Sequence, residues 1–188
     1  HVTTPDAMDV QKILARMLEL GITHVVLETT SHGWAQYRID ACEFDIGVVT
    51  NITHEHLDYH KTYENYLSAK ARLLFSLAHT IKKPHQVKRV AVLNRDDRSF
   101  EHLQKYVITA QVSYGSTDTG AYSFSDLEYS KNGIAFSLGH SGHSEKLQLP
   151  IFGDYNAYNA SAAVACVAEG LDIPISKAIN ALKDFPGI

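Results

Sequence analysis

Asp45-Ile46-Gly47-Val48-Val49-Thr50-Asn51 is the stretch that decides the fold. It is a short apolar run, partly β-branched, that stops abruptly on polar residues. Such a run suits a strand buried on both faces rather than one with a wet side. Two further segments repeat the pattern, His24-Val25-Val26-Leu27-Glu28-Thr29 and Arg89-Val90-Ala91-Val92-Leu93-Asn94. Around them the apolar spacing changes to three or four. Residues 5–20 read as a helix: Pro5 suits a first turn, Asp6 and Asp9 lie near its start, and Gly21 follows its end. Residues 63–77, 97–106, 155–170 and 175–182 also carry helical patterns. Strands that are apolar throughout and alternate with helices predict an α/β domain, a mostly parallel sheet flanked by helices.

Between residues 110 and 150 the texture shifts to short alternating segments separated by Gly, Ser and Asn, with a hairpin signal at Lys131-Asn132-Gly133. A small antiparallel sheet is expected there. In open parallel sheets the ligand site lies off the carboxyl ends of the strands. In this chain those ends carry Glu28-Thr29-Thr30-Ser31-His32, Asn51 onward to His56, and Asn94-Arg95-Asp96-Asp97. The three polar groups therefore converge on one edge of the predicted sheet.

Composition bounds the partners. The 188 residues are 45% hydrophobic and 20% charged, which suits one globular domain with a real core. A net charge of −4 argues against a nucleic-acid surface while leaving room for one phosphate pocket. No apolar run reaches the ~18–20 residues that span a bilayer, and no signal peptide is read, so no membrane partner is expected. Cys42 and Cys166 are too far apart for a disulfide framework, which favours a reducing, cytoplasmic compartment.

Asn51-Ile52-Thr53-His54-Glu55-His56-Leu57-Asp58-Tyr59-His60 packs three histidines and two acids into ten residues. Its H-x-H-x-D-x-H spacing is close to that of binuclear zinc hydrolases of the metallo-β-lactamase type, but Tyr59 separates Asp58 from His60 and breaks the pattern. A plain helix start with partly exposed polar residues is the bland alternative.

The same segment resembles the N-[LI]-T-x-[DE]-H-L-D-x-H motif of the Mur ligases. Five other stretches extend the resemblance in the same order along the chain. Thr3-Thr4-Pro5 is similar to T-T-P, and Glu28-Thr29-Thr30-Ser31-His32-Gly33 to E-x-S-S-H-G of the tripeptide-forming branch, MurE. Ala69-Lys70-Ala71-Arg72-Leu73 resembles A-K-x-x-L, and Val92-Leu93-Asn94-Arg95-Asp96-Asp97 resembles V-L-N-x-D-D. Gly153-Asp154-Tyr155-Asn156-Ala157-Tyr158-Asn159 opens the match to G-x-[FY]-N-x-Y-N-x-x-A-A.

The resemblance implies the central ATPase domain of an ATP-dependent amide ligase of peptidoglycan synthesis. Such an enzyme phosphorylates the carboxyl end of a UDP-N-acetylmuramoyl-peptide, and the amine of an amino acid then attacks the acyl phosphate. It implies ATP as co-substrate, Mg2+ as cofactor, and a monomer. It carries over Glu28 and His56 as magnesium ligands and Lys70 as a carbamylated lysine holding a second metal. Lys70 and His56 are thus the expected catalytic pair. Thr3, Thr4, Thr30, Gln36 and Arg38 match positions that contact the UDP-muramoyl substrate. For Thr3 and Thr4 a helix N-cap before Pro5 is a second expectation. Asn156 and Asn159 match asparagines near the nucleotide. Asp96 and Asp97 are as well explained by capping as by catalysis, Asp58 and His60 by local hydrogen bonds, and His54 takes no role.

Two family motifs have no counterpart in these residues. There is no G-x-x-x-x-G-K-[ST] phosphate loop, and Phe185-Pro186-Gly187-Ile188 is the opening of F-P-G-[IV]-x-G-R without its remainder. Residues 1–188 therefore read as a central-domain fragment lacking the phosphate-loop strand and the C-terminal domain, inactive by itself. A zinc hydrolase and a non-catalytic Mur-like binding module are the alternatives.

Overall fold

The computed structural model describes residues 4–52, 57–81, 83, 87–116 and 120–187. Six strands form one sheet in chain order: β1 (Ile46–Val49), β2 (Val90–Asn94), β3 (Ala110–Gly115), β4 (Tyr122–Ser130), β5 (Gly133–His140) and β6 (His143–Leu149). The first three ladders are parallel and the last two antiparallel. Of the stretch expected to form a small antiparallel sheet, residues 110–150, β3 instead pairs parallel, and only β4–β6 are antiparallel; they continue the parallel sheet edge to edge rather than forming a sheet of their own. The join is β3–β4, where only Tyr114↔Tyr122 and Gly115↔Ser123 pair. A full parallel overlap needs a crossover of a dozen residues or more. The short link here lets β4 start only where β3 ends. At the β5–β6 turn, Ser141 and Gly142 both have positive φ, 50° and 79°, the geometry that suits a two-residue hairpin.

Helices cover both faces because strand residues alternate in direction. On β2, Val90 and Val92 join the core beneath α6 (Tyr155–Leu171), with Ala157, Ala160, Val164 and Ala165. Ala91 and Leu93 face the other way, into a core with Leu67, Leu74 and Leu77 of α4 (Tyr63–His79). The burial of all four is complete to within 1%. Apolar residues on both faces are why β2 reads as a continuous hydrophobic run. Thr62 caps α4 by accepting a hydrogen bond from the Asn65 backbone N–H at 3.1 Å. Asp154 does the same for α6 through Tyr155 N–H at 2.9 Å. α7 (Ile175–Lys183) closes the fold against β6 and α6.

The helix expected at residues 5–20 is α1 (Ala7–Glu19), and that at 97–106 is a short α5 (Phe100–Leu103) followed by a 3-10 turn (Gln104–Tyr106). The strand expected at residues 24–29 fails too. Residues 24–29 form no strand; Val26 is fully exposed and Val25 half so. β-branched residues favour a strand only when a neighbouring strand completes the ladder. β1 ends the sheet, and among the described residues nothing pairs with 24–29. A five-residue helix that periodicity does not signal, α2 (Ser31–Ala35), follows directly. Among the described residues, no helix is long and apolar enough to cross a membrane.

Candidate functional site

Beyond the carboxyl ends of β1 and β2 lies an open cleft of about 420 Å3, lined by Thr50, Asn51, Asn94, Asp154, Tyr155, Tyr158 and Asn159. Its floor is tied together by side chains that bridge strand ends. Asn94 Nδ2 donates to Thr50 O at 2.8 Å, and its Oδ1 accepts from Asp96 N–H at 3.0 Å. The Tyr114 hydroxyl donates toward Val49 O (3.1 Å) and Thr50 O (3.3 Å).

Asp96 and Asp97 divide their work. Asp97 accepts from Ser99 N–H and hydroxyl just ahead of α5, and from Ile52 N–H at 3.2 Å, so it holds two loops together. Asp96 Oδ2 accepts from Ser116 N–H (2.6 Å), the Ser116 hydroxyl (2.7 Å) and the Tyr158 hydroxyl (2.9 Å). It thereby pins Tyr158 at the cleft wall. Burial pushes the Tyr158 phenol above its ordinary value; the Asp96 hydrogen bond and charge act the same way, against the bond with Ser116. Tyr158 is therefore a neutral donor at physiological pH.

Asn156 and Asn159 lie on the first turns of α6. Asn156 Nδ2 donates to Phe152 O at 2.7 Å, while exposed Asn159 lines the cleft and donates to Asn156 Oδ1 at 3.3 Å. Asn156 therefore supports the turn and Asn159 faces the cleft. Gly153 has φ +96°, and a Cβ there would meet the Tyr155 ring at 2.3 Å. Only glycine fits this turn and lets Tyr155 stand beside the cleft. Sequence reasoning assigned no role to Tyr155, Tyr158 or Asn94, although all three sit inside its motifs.

A second cluster forms around Thr4 and α2. Thr4 is wholly buried; its hydroxyl accepts from Thr30 N–H at 3.1 Å and lies 3.0 Å from the Thr30 hydroxyl. Thr30 in turn caps α2 by accepting from Gly33 N–H at 3.0 Å. A Cβ on Gly33 would come within 3.0 Å of Thr4, so the two segments meet as closely as backbone permits. Arg38 Nη1 donates to Thr4 O at 2.8 Å, and exposed Gln36 donates to the Tyr59 hydroxyl at 3.3 Å. Thr4, Thr30, Gln36 and Arg38, far apart in sequence, are thus neighbours around one short helix. Thr4 is not the N-cap of α1. That position is Asp6, without a side-chain cap, and the Thr4 hydroxyl is committed to Thr30. Thr3 lies outside the described residues.

Of the expected metal ligands, Glu28 is exposed, and its backbone carbonyl lies 3.5 Å from the Thr4 hydroxyl. Lys70 is half-buried on α4 with Nζ 5.6 Å above the Tyr66 ring. His56 and His54 lie outside the described residues, as does the side chain of Asp58. Among the described residues no group of three His, Cys, Asp or Glu is placed to hold a metal ion. His60, the last histidine of the dense segment, is buried and bonded through Nε2 to the buried Ser31 hydroxyl at 3.0 Å. Local bonding, not a zinc pair, is what the described part of that segment shows.

Residues 1–167 match the Mur ligase middle domain family. The chain is 35% identical over 184 residues to a UDP-N-acetylmuramyl-tripeptide synthetase of Oceanobacillus iheyensis, covering 98% of this chain and 37% of that protein. It is 37% identical over 188 residues to a UDP-N-acetylmuramoyl-L-alanyl-D-glutamate–2,6-diaminopimelate ligase of a Nostoc species, covering 99% and 36%. A solved structure of a ligase with that same name superimposes with a TM-score of 0.85 at 30% identity, over 99% of this chain and 37% of the other. The chain thus spans a little over a third of the relatives it matches. Neither the zinc-hydrolase reading nor that of a non-catalytic module draws support from these likenesses. The motifs, the mixed six-stranded sheet and the match along nearly the whole chain agree: the chain belongs to the Mur ligase family, as its middle domain.

Proposed function

We propose that the protein carrying this domain is an ATP-dependent ligase that joins an amino acid to a UDP-N-acetylmuramoyl-peptide in the cytoplasm, by way of an acyl phosphate. The observation that carries this reading is a pair of polar clusters, one beyond the carboxyl ends of β1 and β2 and one around the short helix packed on α4. One is the cleft of Thr50, Asn51, Asn94, Tyr155, Tyr158 and Asn159; the other is the Thr30–Gln36–Arg38 group around α2. A condensation of this type needs two substrates held side by side with reacting groups aligned.

Asn159 and Asn94 offer uncharged donors and acceptors suited to a nucleotide base and ribose, and the Tyr158 hydroxyl, its proton committed to Asp96, leaves an acceptor beside them. Arg38 and the Thr30 hydroxyl offer donors suited to diphosphate and carboxylate. Thr4 acts behind them, orienting Thr30. The donor set suits Mg2+, which prefers oxygen: Glu28 supplies a carboxylate, and Lys70 supplies a second one when its neutral amine adds CO2. Glu28 and His56 would hold one ion and carbamylated Lys70 a second, which when bound would offset charge on the transferring phosphate. The protein is expected to act as a monomer.

The test is ADP release by the full-length protein, measured with and without UDP-N-acetylmuramoyl-peptide and candidate amino acids. Release that requires both, with a new amide in the product, is expected. Hydrolysis indifferent to the muramoyl peptide would overturn the reading. The 188 residues alone, which contain no phosphate-loop motif, should turn over no ATP.

A further inference from the structure

His60 sits in a position fixed from every side. It closes α3 (Leu57–His60), one residue ahead of the left-handed Lys61 (φ +67°) and two ahead of the α4 cap. Its carbonyl oxygen accepts from Thr62 N–H at 2.8 Å and from Asn65 Nδ2 at 3.0 Å, which locks its backbone to the first turn of α4. Its ring packs against three others: Tyr59 edge-on at 4.9 Å, and His32 and Tyr66 tilted, each at 5.4 Å. Nε2 meets the Ser31 hydroxyl at 3.0 Å, both residues being at least 94% buried. Ser31 is the first residue of α2, directly after Thr30, and Tyr66 is the ring above which Lys70 projects. An imidazole that only filled space would not need the bonded hydroxyl.

We infer that His60 is a positioning residue: through Ser31 it sets where α2, with Thr30, Gln36 and Arg38, stands relative to α4 and Lys70. The inference rests on the ligase reading above and adds to it the element that holds its muramoyl-binding side in register. Small displacements of a binding group weaken substrate capture even when the fold survives. Nothing in this role requires His60 to touch substrate, nucleotide or metal.

The experiment uses the full-length protein and four variants: His60→Phe, Ser31→Ala, the double variant, and His60→Gln. Phenylalanine keeps the ring and removes the bond. Glutamine places an amide near the Nε2 position. His60→Phe and Ser31→Ala should each raise KM for the muramoyl peptide by about tenfold while KM for ATP stays within about twofold. The double variant should be no worse than either single one, because both remove one interaction. His60→Gln should recover part of the loss. Thermal melting identifies folded variants, and only those are read. Unchanged muramoyl KM in folded His60→Phe, or additive effects of the two single changes, would overturn the inference. A wild-type protein that makes no amide bond would instead overturn the ligase reading.

Discussion

The two flanks of this domain are built to different standards. On the β4–β6 side, Phe124, Ile134, Phe136, Leu138, Leu147 and Leu149 are at most 5% exposed and merge with α6 and α7 into one continuous core. On the α1–α2 side the core shrinks to Val10, Trp34, Ile39 and Leu73. There α1 buries a single residue, and Met8, Ile13, Leu18, Leu20, Ile22, Val25 and Val26 face outward. Yet the thin flank carries Glu28, Thr30, Gln36 and Arg38, and it is held by hydrogen bonds more than by packing. One flank is held by apolar packing, the other chiefly by polar contacts between segments far apart in the chain.

The comparison can be broken from the thick side first. Phe136→Ala, at a wholly buried site in the middle of β5, should cost about 3–5 kcal/mol in urea unfolding, enough to unfold much of a marginally stable domain. A loss under about 1 kcal/mol would show that the core is less continuous than it looks. From the thin side, Lys70→Ala in the full-length protein should lower ligation by about 10²–10³-fold with little change in melting temperature. Equal loss of both would mean that Lys70 serves packing.

Tyr114 ties the large core to the strand end beside the cleft, since its ring lies in that core and its hydroxyl reaches Val49 O and Thr50 O. Tyr114→Phe should cost about 1–1.5 kcal/mol. Burial, and then the Asp97 charge, raise this phenol above its ordinary value near 10. The unfolded chain therefore loses the proton first. The stabilisation is whole below about pH 10 and fades as pH rises toward the folded value. Unfolding measured between pH 8 and 11 should show a steeper alkaline loss for the wild type than for Tyr114→Phe, and parallel curves would contradict this. The smallest effect is expected at Val26→Thr, within about 0.5 kcal/mol, because that side chain is already wholly in solvent. A large change would mean that Val26 is covered in solution.

Legibility in the sequence follows the same division. β2, α4 and α6 were readable because burial on a regular element leaves its mark in the chain: an unbroken apolar run along Val90–Leu93, buried on both faces, and a spacing of 3 to 4 along the two helices. The 24–29 run carries the same signal and yields no strand, since pattern records a tendency and a ladder needs a neighbour. α2 is too short to leave a period, and its start depends on the Thr30 cap and on Thr4, twenty-six positions away. The resemblance brought Thr4, Thr30, Gln36 and Arg38 forward, but only their contacts separate Thr4, sealed behind the site, from the residues that face outward. Tyr155, Tyr158 and Asn94 lay inside motifs without a role until the cleft gave them one.

By itself, then, the sequence determined the α/β class, the main helices, most strands and the family, since each rests on periodicity or on residues close together in the chain. Tertiary structure alone decided that the antiparallel strands extend the parallel sheet, that Asp96 holds Tyr158, and that His60 answers to Ser31. Those outcomes depend on distances between segments tens of residues apart, which no local pattern encodes and only the packed chain fixes.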